Sequence, residues 1–233
     1  MMKQRTRSPR SDPSDAAPRV ARRQLAMLIV GGVSFTLLAG CDKQKWTSID
    51  VSGSLPRLAF TMTRVEDGKE VTEANYRSEI VLLYFGYTNC PDVCPTTLSN
   101  IGDILKSLGP EAEHVRMLFV TVDPNRDTAQ ALATYVSNFS NRIDGLRGTR
   151  DQLAELARRY RVAYSVTPAS NGQPYEVTHS PAVYVFDGSG AARLIIASLA
   201  STTPHIPGTT ADLKRLVEET HPRGLLARLL AWV

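Results

Sequence analysis

Cys90 and Cys94 stand with three residues between them, and each is followed at once by a proline, in Cys90-Pro91-Asp92-Val93-Cys94-Pro95. Two thiols so placed can do three kinds of chemistry. They can exchange electrons as a dithiol–disulfide couple, hold a soft metal ion as thiolates, or close a structural disulfide. The prolines narrow the local geometry. Proline disfavours the α conformation in the residue before it and is well placed at the first position of a helix. Pro95 therefore predicts Cys94 as the N-cap of a helix through Leu98, Ile101, Ile104, Leu105 and Leu108. Pro91 sets residues 90–93 in a separate tight turn that folds Cys90 back toward Cys94. Both sulfurs are then expected at the positive end of a helix dipole, which favours thiolate over thiol.

The elements around this corner can be read from their periodicity. Residues 80–85 (IVLLYF) are a continuous apolar run, the mark of a strand buried on both faces, and residues 115–122 are a second. With the cysteine helix between them they make a βαβ unit, which implies parallel pairing. Upstream, the weak alternation at 58–62 and the turn residues Glu66-Asp67-Gly68-Lys69 predict a small hairpin. Downstream, Asp127 or Thr128 opens a helix through Leu132, Tyr135, Val136 and Phe139. Thr149 with Gln152 forms a capping box for another, through Leu153, Leu156, Ala157 and Tyr160. Residues 181–187 read as a strand, Gly188-Ser189-Gly190 as a hairpin turn, 192–196 as its partner and 209–219 as a closing helix. The order predicts an α/β, thioredoxin-like fold: a central mixed sheet flanked by helices, with an N-terminal hairpin.

That fold does not by itself choose among the chemistries. Thioredoxin-like reductases use Cys-x-x-Cys, and this motif has one residue more. A peroxidase of the same fold needs a threonine three residues before its reactive cysteine, where Tyr87 stands. A structural disulfide across so short a loop stabilises little. A metal site needs a third ligand, and the histidines are His114, His179, His205 and His221. His114 lies beside Glu111 and Glu113 and reads as a surface position; His205 and His221 sit in proline-flanked loops near the C-terminus. His179 falls just before the strand at 182–186, on the loop that in this fold faces the cysteine corner. Ser180-Pro181 follows it; a cis bond there would turn the chain sharply just after His179, and a trans bond would leave Pro181 as an ordinary strand-starting residue. Two thiolates and one imidazole suit copper, whereas a closed structural zinc site wants a fourth protein ligand.

The formal charge of +4 is unevenly placed. Without the first 40 residues the chain has 20 basic and 21 acidic side chains, so its basic character does not indicate nucleic acid. The basic stretch ending at Arg23, the apolar core at 25–39 and Leu38-Ala39-Gly40-Cys41 have the layout of an export signal of the lipoprotein type, with Cys41 lipidated. The apolar core falls short of the roughly 20 residues that span a bilayer. An uncleaved N-terminal anchor is the alternative, and it too leaves the domain outside the cytoplasm. Asp42 resembles a signal for retention at the bacterial inner membrane, and Arg22-Arg23 hints at twin-arginine export. The expected organisation is a signal at 1–40, a lipid-anchored linker at 41–55, the domain at 56–222 and a tail at 223–233.

Three separated segments carry a resemblance: residues 85–98 (FGYTNCPDVCPTTL), 119–128 (FVTVDPNRDT) and 177–180 (VTHS). They are similar, in order, to the signatures of the Sco/SenC family of membrane-tethered, thioredoxin-fold, copper-binding proteins that help assemble cytochrome c oxidase. The resemblance runs from about Leu58 to about Val217 and implies Cys90, Cys94 and His179 as copper ligands. It implies delivery of copper to the oxidase subunit with the dinuclear copper centre, or reduction of that subunit's cysteines by the pair Cys90 and Cys94. In the second case the pair cycles through a disulfide and needs a thioredoxin-like thiol reductant. A copper or redox sensor is a third possibility. Asn89 stands where many members have a second histidine, and Pro181 where many have an apolar or small residue. Asp123 and Arg126, after the second central strand, are expected to face the partner, and Asp127 to cap the following helix.

Overall fold

The apolar run at 80–85 becomes the middle of an eight-stranded mixed sheet. The computed structural model describes residues 45–170, 175–197 and 199–222; the expected signal, Cys41, Asp42 and the tail from 223 lie outside them. In chain order the elements are β1 (Ile49–Asp50), β2 (Thr61–Arg64), β3 (Glu70–Thr72), β4 (Ile80–Gly86), α1 (Val93–Leu108), β5 (Val115–Thr121), α2 (Ala129–Ser137), β6 (Ile143–Arg147), α3 (Arg150–Arg159), β7 (Tyr164–Thr167), β8 (Glu176–His179), β9 (Val183–Phe186), β10 (Ala192–Ile196) and α4 (Ile206–Thr220). The sheet order is β1-β10-β9-β4-β5-β6-β2-β3, while β7 and β8 form a two-stranded sheet of their own.

The predicted parallel pairing holds: β4 lies parallel to β5 from Ile80↔Val115 to Gly86↔Thr121, and β5 parallel to β6. β9 runs antiparallel to β4, and the N-terminal hairpin β2–β3 extends the far edge through β6. All seven residues of β4 are buried, because helices cover both faces of the parallel core. Each aliphatic side chain sealed there contributes about 1.5–3 kcal/mol. Leu98, Ile101, Ile104 and Leu105 form the apolar face of α1, and Leu213, Leu216 and Val217 that of α4. Capping follows expectation at α3, where Thr149 and Gln152 make the reciprocal box. Thr128, not Asp127, caps α2.

Several elements differ from the sequence reading. The stretch read as linker includes β1, which adds to the sheet edge at β10, while Thr47 and Ser48 donate their backbone N–H groups to Asp212. Two residues are too few to give a periodic signal. β6 was missed because Asp144 and Gly145 interrupt its apolar pattern; Asp144 is buried on an ion pair with Arg116 and a hydrogen bond from Tyr76. The closing helix starts at Ile206, with the His205 ring accepting from Gly208 N–H. His114 and His221 are half-buried and stack at 4.0 Å between ring centroids. No cis peptide bond occurs among the described residues, so Ser180–Pro181 is trans, and β9 begins two residues later at Val183.

Candidate metal centre

The parallel pair β4 and β5 ends beside the start of α1, and the cysteines sit in that corner. The helix begins two residues earlier than Pro95 suggests: Asp92 is the N-cap, and Cys94 lies in the first turn. The reason is that none of the first four helical N–H groups has an intrahelical partner, so proline is harmless there beyond the first position. One of those groups finds a sulfur. Cys94 N–H donates to Cys90 Sγ at 3.3 Å, so Cys90, folded back by the turn that Pro91 opens, receives the helix end.

The two thiols differ in surroundings. Cys90 is half-buried and Cys94 is 0% exposed; both are free cysteines in this structure. Burial pushes the Cys94 thiol up to about 12. The expectation of a helix-stabilised thiolate therefore fails at Cys94, because loss of solvent outweighs the dipole in an apolar seat. Around its sulfur, Tyr84 OH donates at 3.7 Å, and burial holds the Tyr84 phenol in its protonated form. Gly86 leaves room for the sulfur: a Cβ there would fall 2.6 Å from Phe119 Cζ and 3.0 Å from Cys94 Sγ.

His179 arrives from the other side. It is the last residue of β8, on a strand and not on the expected loop. Its Nδ1 lies 3.0 Å from the Ser180 carbonyl, which can only accept, so Nδ1 carries the proton and Nε2 keeps its lone pair. Nε2 stands 3.2 Å from Cys94 Sγ. Burial lowers the affinity of the ring for a second proton, so the neutral, ligating form prevails at neutral pH. Tyr84 and Tyr87 each present their rings edge-on to the imidazole at 5.8 Å. Cys90 Sγ, Cys94 Sγ and His179 Nε2 all lie within 4.8 Å of one another, the one such cluster among the described residues. His114, His205 and His221 take no part. Three soft-to-borderline donors meeting at one point, with no fourth His, Cys, Asp or Glu ligand beside them among the described residues, fit copper better than zinc.

The residues after β5 play a different part from the one expected. Asp123 is 1% exposed and therefore offers no surface to a partner. It accepts from Arg126 Nε at 2.5 Å and from Tyr175 OH at 2.7 Å. Arg126, one-third exposed, also lies over the Tyr175 ring at 3.8 Å. Asp127 is 0% exposed and ties the cysteine loop to β5: Thr88 N–H (3.1 Å), Thr88 Oγ1 (2.6 Å) and Thr121 Oγ1 (2.6 Å) all donate to it. Sequence reasoning missed Tyr84, Thr88 and Tyr175. Tyr84 hides in an apolar strand, and Thr88 and Tyr175 become informative only when their distant partners are known.

Comparison with known proteins agrees with this geometry. The family described as SCO1/SenC matches residues 56–218. The mitochondrial SCO2 homologue of Bos taurus is 43% identical over 125 residues, 53% of this chain and 47% of that protein; the chain spans about half the length of most of the curated relatives it matches. Among solved structures, Bradyrhizobium japonicum ScoI with copper bound aligns at TM-score 0.60 and 35% identity, covering 69% of this chain and 98% of that one. Yeast Sco1 with copper bound aligns at TM-score 0.61 and 32% identity, covering 72% and 92%. A family match that runs through both cysteines and the histidine, over a mixed sheet of the same architecture, makes this chain a member of the SCO1/SenC family.

Proposed function

We propose that the protein is an extracytoplasmic copper carrier, tethered at the bacterial inner membrane through Cys41, that helps assemble the dinuclear copper centre of cytochrome c oxidase. The observation that carries the proposal is the convergence of Cys90 Sγ, Cys94 Sγ and His179 Nε2. The relatives solved with copper bound support the choice of metal. Their family supports the oxidase, and the order of basic stretch, apolar core and Leu38-Ala39-Gly40-Cys41 supports the tether. Among the described residues no helix is long and apolar enough to cross a membrane.

The chain's own groups define how copper is held and let go. Binding requires Cys94 to lose its proton, because a thiol is not a ligand; His179 is neutral already and needs no deprotonation. The half-buried Cys90 lies at the open side, where an incoming sulfur of the partner can replace it first. The edge of Arg126 left exposed, beside the exposed Asn125, is a part of the loop after β5 that can reach such a partner.

One observation favours a second reading, thiol–disulfide exchange: an accessible thiol beside a fully buried one is the layout of an attacking and a resolving cysteine. The Cys90 thiolate attacks a disulfide of the oxidase subunit and forms a mixed disulfide, releasing one partner thiolate. Cys94 then attacks Cys90 Sγ, releasing the second. Two electrons pass to the partner, and the chain is left with a Cys90–Cys94 disulfide that a thioredoxin-like reductant must reopen. Copper stoichiometry of the reduced protein, measured beside its activity on an oxidised subunit peptide, separates the readings. The carrier reading predicts one copper per chain, with tight binding destroyed in Cys90→Ala, Cys94→Ala and His179→Ala while the fold survives. His179→Ala binding copper with wild-type affinity would overturn it.

A further inference from the structure

His179 sits on the hairpin β7–β8, which forms a sheet separate from the one whose strand β4 leads into the cysteine turn. Among the described residues no ladder of backbone hydrogen bonds ties that hairpin to the main sheet, so beyond the short link 180–182 to β9 it is side chains that fix the distance between imidazole and sulfurs. The contacts that do so meet at the foot of β8. Tyr175, the residue before that strand, donates its hydroxyl to the buried carboxylate of Asp123 at 2.7 Å. The same carboxylate holds Arg126, whose guanidinium carbon lies over the Tyr175 ring, 3.8 Å from its centroid, and 5.9 Å from that of Tyr87. Tyr87 in turn donates to the carbonyl of Val177, in the middle of β8, and stands edge-on to His179. One cation and two aromatic rings thus join the loop after β5, the cysteine loop and the hairpin.

We propose that Arg126 and Tyr175 are positioning residues that clasp the hairpin against the cysteine corner, so that the strength of the clasp sets how often Nε2 stands within reach of the sulfurs. The proposal rests on the reading of His179 as a ligand. Apparent affinity falls in proportion to the fraction of molecules that are competent to bind. A lost hydrogen bond to a charged group at a half-exposed site shifts such an equilibrium by about tenfold. A plain structural brace would stabilise the domain without acting through His179.

Two measurements on the reduced full-length chain test this, with Tyr175→Phe and Arg126→Gln as the variants. Phenylalanine keeps the ring beneath the guanidinium and removes only the hydroxyl. In the metal-free protein, amide hydrogen exchange across β7 and β8 is expected to speed up about tenfold in either variant, with β4 and β5 unchanged. Affinity for copper(I) alone is expected to weaken about tenfold, and this loss should vanish when the same substitution is made in a His179→Ala background. Unchanged hairpin exchange, or an equal loss of affinity in both backgrounds, overturns the clasp. Should His179→Ala by itself bind copper like the wild type, the ligand reading fails, and the exchange measurement still decides whether the clasp exists.

Discussion

Replacing the buried Asp127 by alanine removes the single acceptor of three hydrogen bonds, two from the half-buried Thr88 and one from the buried Thr121. Its two oxygens take Thr88 N–H, Thr88 Oγ1 and Thr121 Oγ1. Alanine leaves all three donors without that partner, and each buried orphan costs about 1–3 kcal/mol. The hydroxyls can turn toward other acceptors and recover part of this, whereas the fixed N–H of Thr88 cannot. The expected loss is about 3–5 kcal/mol, a large share of the roughly 5–15 kcal/mol that holds a domain folded. Asparagine preserves the shape: its oxygen still accepts from Thr88 N–H and Thr121, and its amide can donate to a reoriented Thr88 hydroxyl. Only charge assistance is lost, so about 1–2 kcal/mol is expected. Urea unfolding of the reduced, metal-free protein measures both, with an unchanged slope showing that the unfolded state is the same. Thr88 lies two residues before Cys90, so Asp127→Ala should also weaken copper binding. An alanine variant within about 1 kcal/mol of the wild type, or an asparagine variant as unstable as alanine, would refute the reasoning.

Copper affinity should rise at least tenfold per pH unit from pH 6 to 8, because the buried Cys94 thiol, pushed up to about 12, must release its proton on binding; a pH-independent affinity would contradict the burial argument. Without metal the sign reverses. The folded thiol holds its proton where an unfolded one, near 9.0, has lost it, so its contribution to stability is complete below pH 9 and falls by about 1.4 kcal/mol per unit above that. Cys94→Ala should flatten the unfolding free energy between pH 9 and 10. Oxidising Cys90 and Cys94 to a disulfide should abolish copper binding until a reductant is added, which a titration of the verified disulfide form checks. Gly86→Ala forces a methyl against Phe119 and Cys94 Sγ, at a cost of about 1–3 kcal/mol. Chemical denaturation gives that figure, and a shift in the copper(II)–thiolate absorption reports the displaced sulfur.

Much of this arrangement was legible in the sequence where physics is local. The buried runs at 80–85 and 115–122, the Thr149–Gln152 box and the turn at Gly188 depend on neighbours in the chain, and the structure bears them out. The convergence of Cys90, Cys94 and His179 was legible too, because His179 is the histidine next to a strand that borders the cysteine corner. What escaped depends on distant pairing. Asp123 and Asp127 look alike in sequence, as acidic residues after a strand, and a loop after a strand suggests a surface. Their burial follows only once Tyr175 and Thr88 are known to approach them. The thiolate expectation failed for a related reason. A helix start predicts the direction of a dipole, but the depth of Cys94 beneath Tyr84 and Phe119, which decides the larger effect, is a property of the packed core.

The way β1 is sewn to the sheet has a mechanical consequence. Any tension transmitted along the chain ahead of Trp46 meets, in turn, the Arg215 guanidinium 3.9 Å over the Trp46 ring, the two amide bonds to Asp212, and the short ladder to β10. That load passes into α4 and the outer strand. Between β10 and β4, the strand that leads into the cysteine turn, lies β9, so load on the outer strand has two strand interfaces to cross before it reaches that corner. Load applied ahead of Trp46 is thus taken up first by Asp212, Arg215 and β10, away from the corner where Cys90, Cys94 and His179 meet.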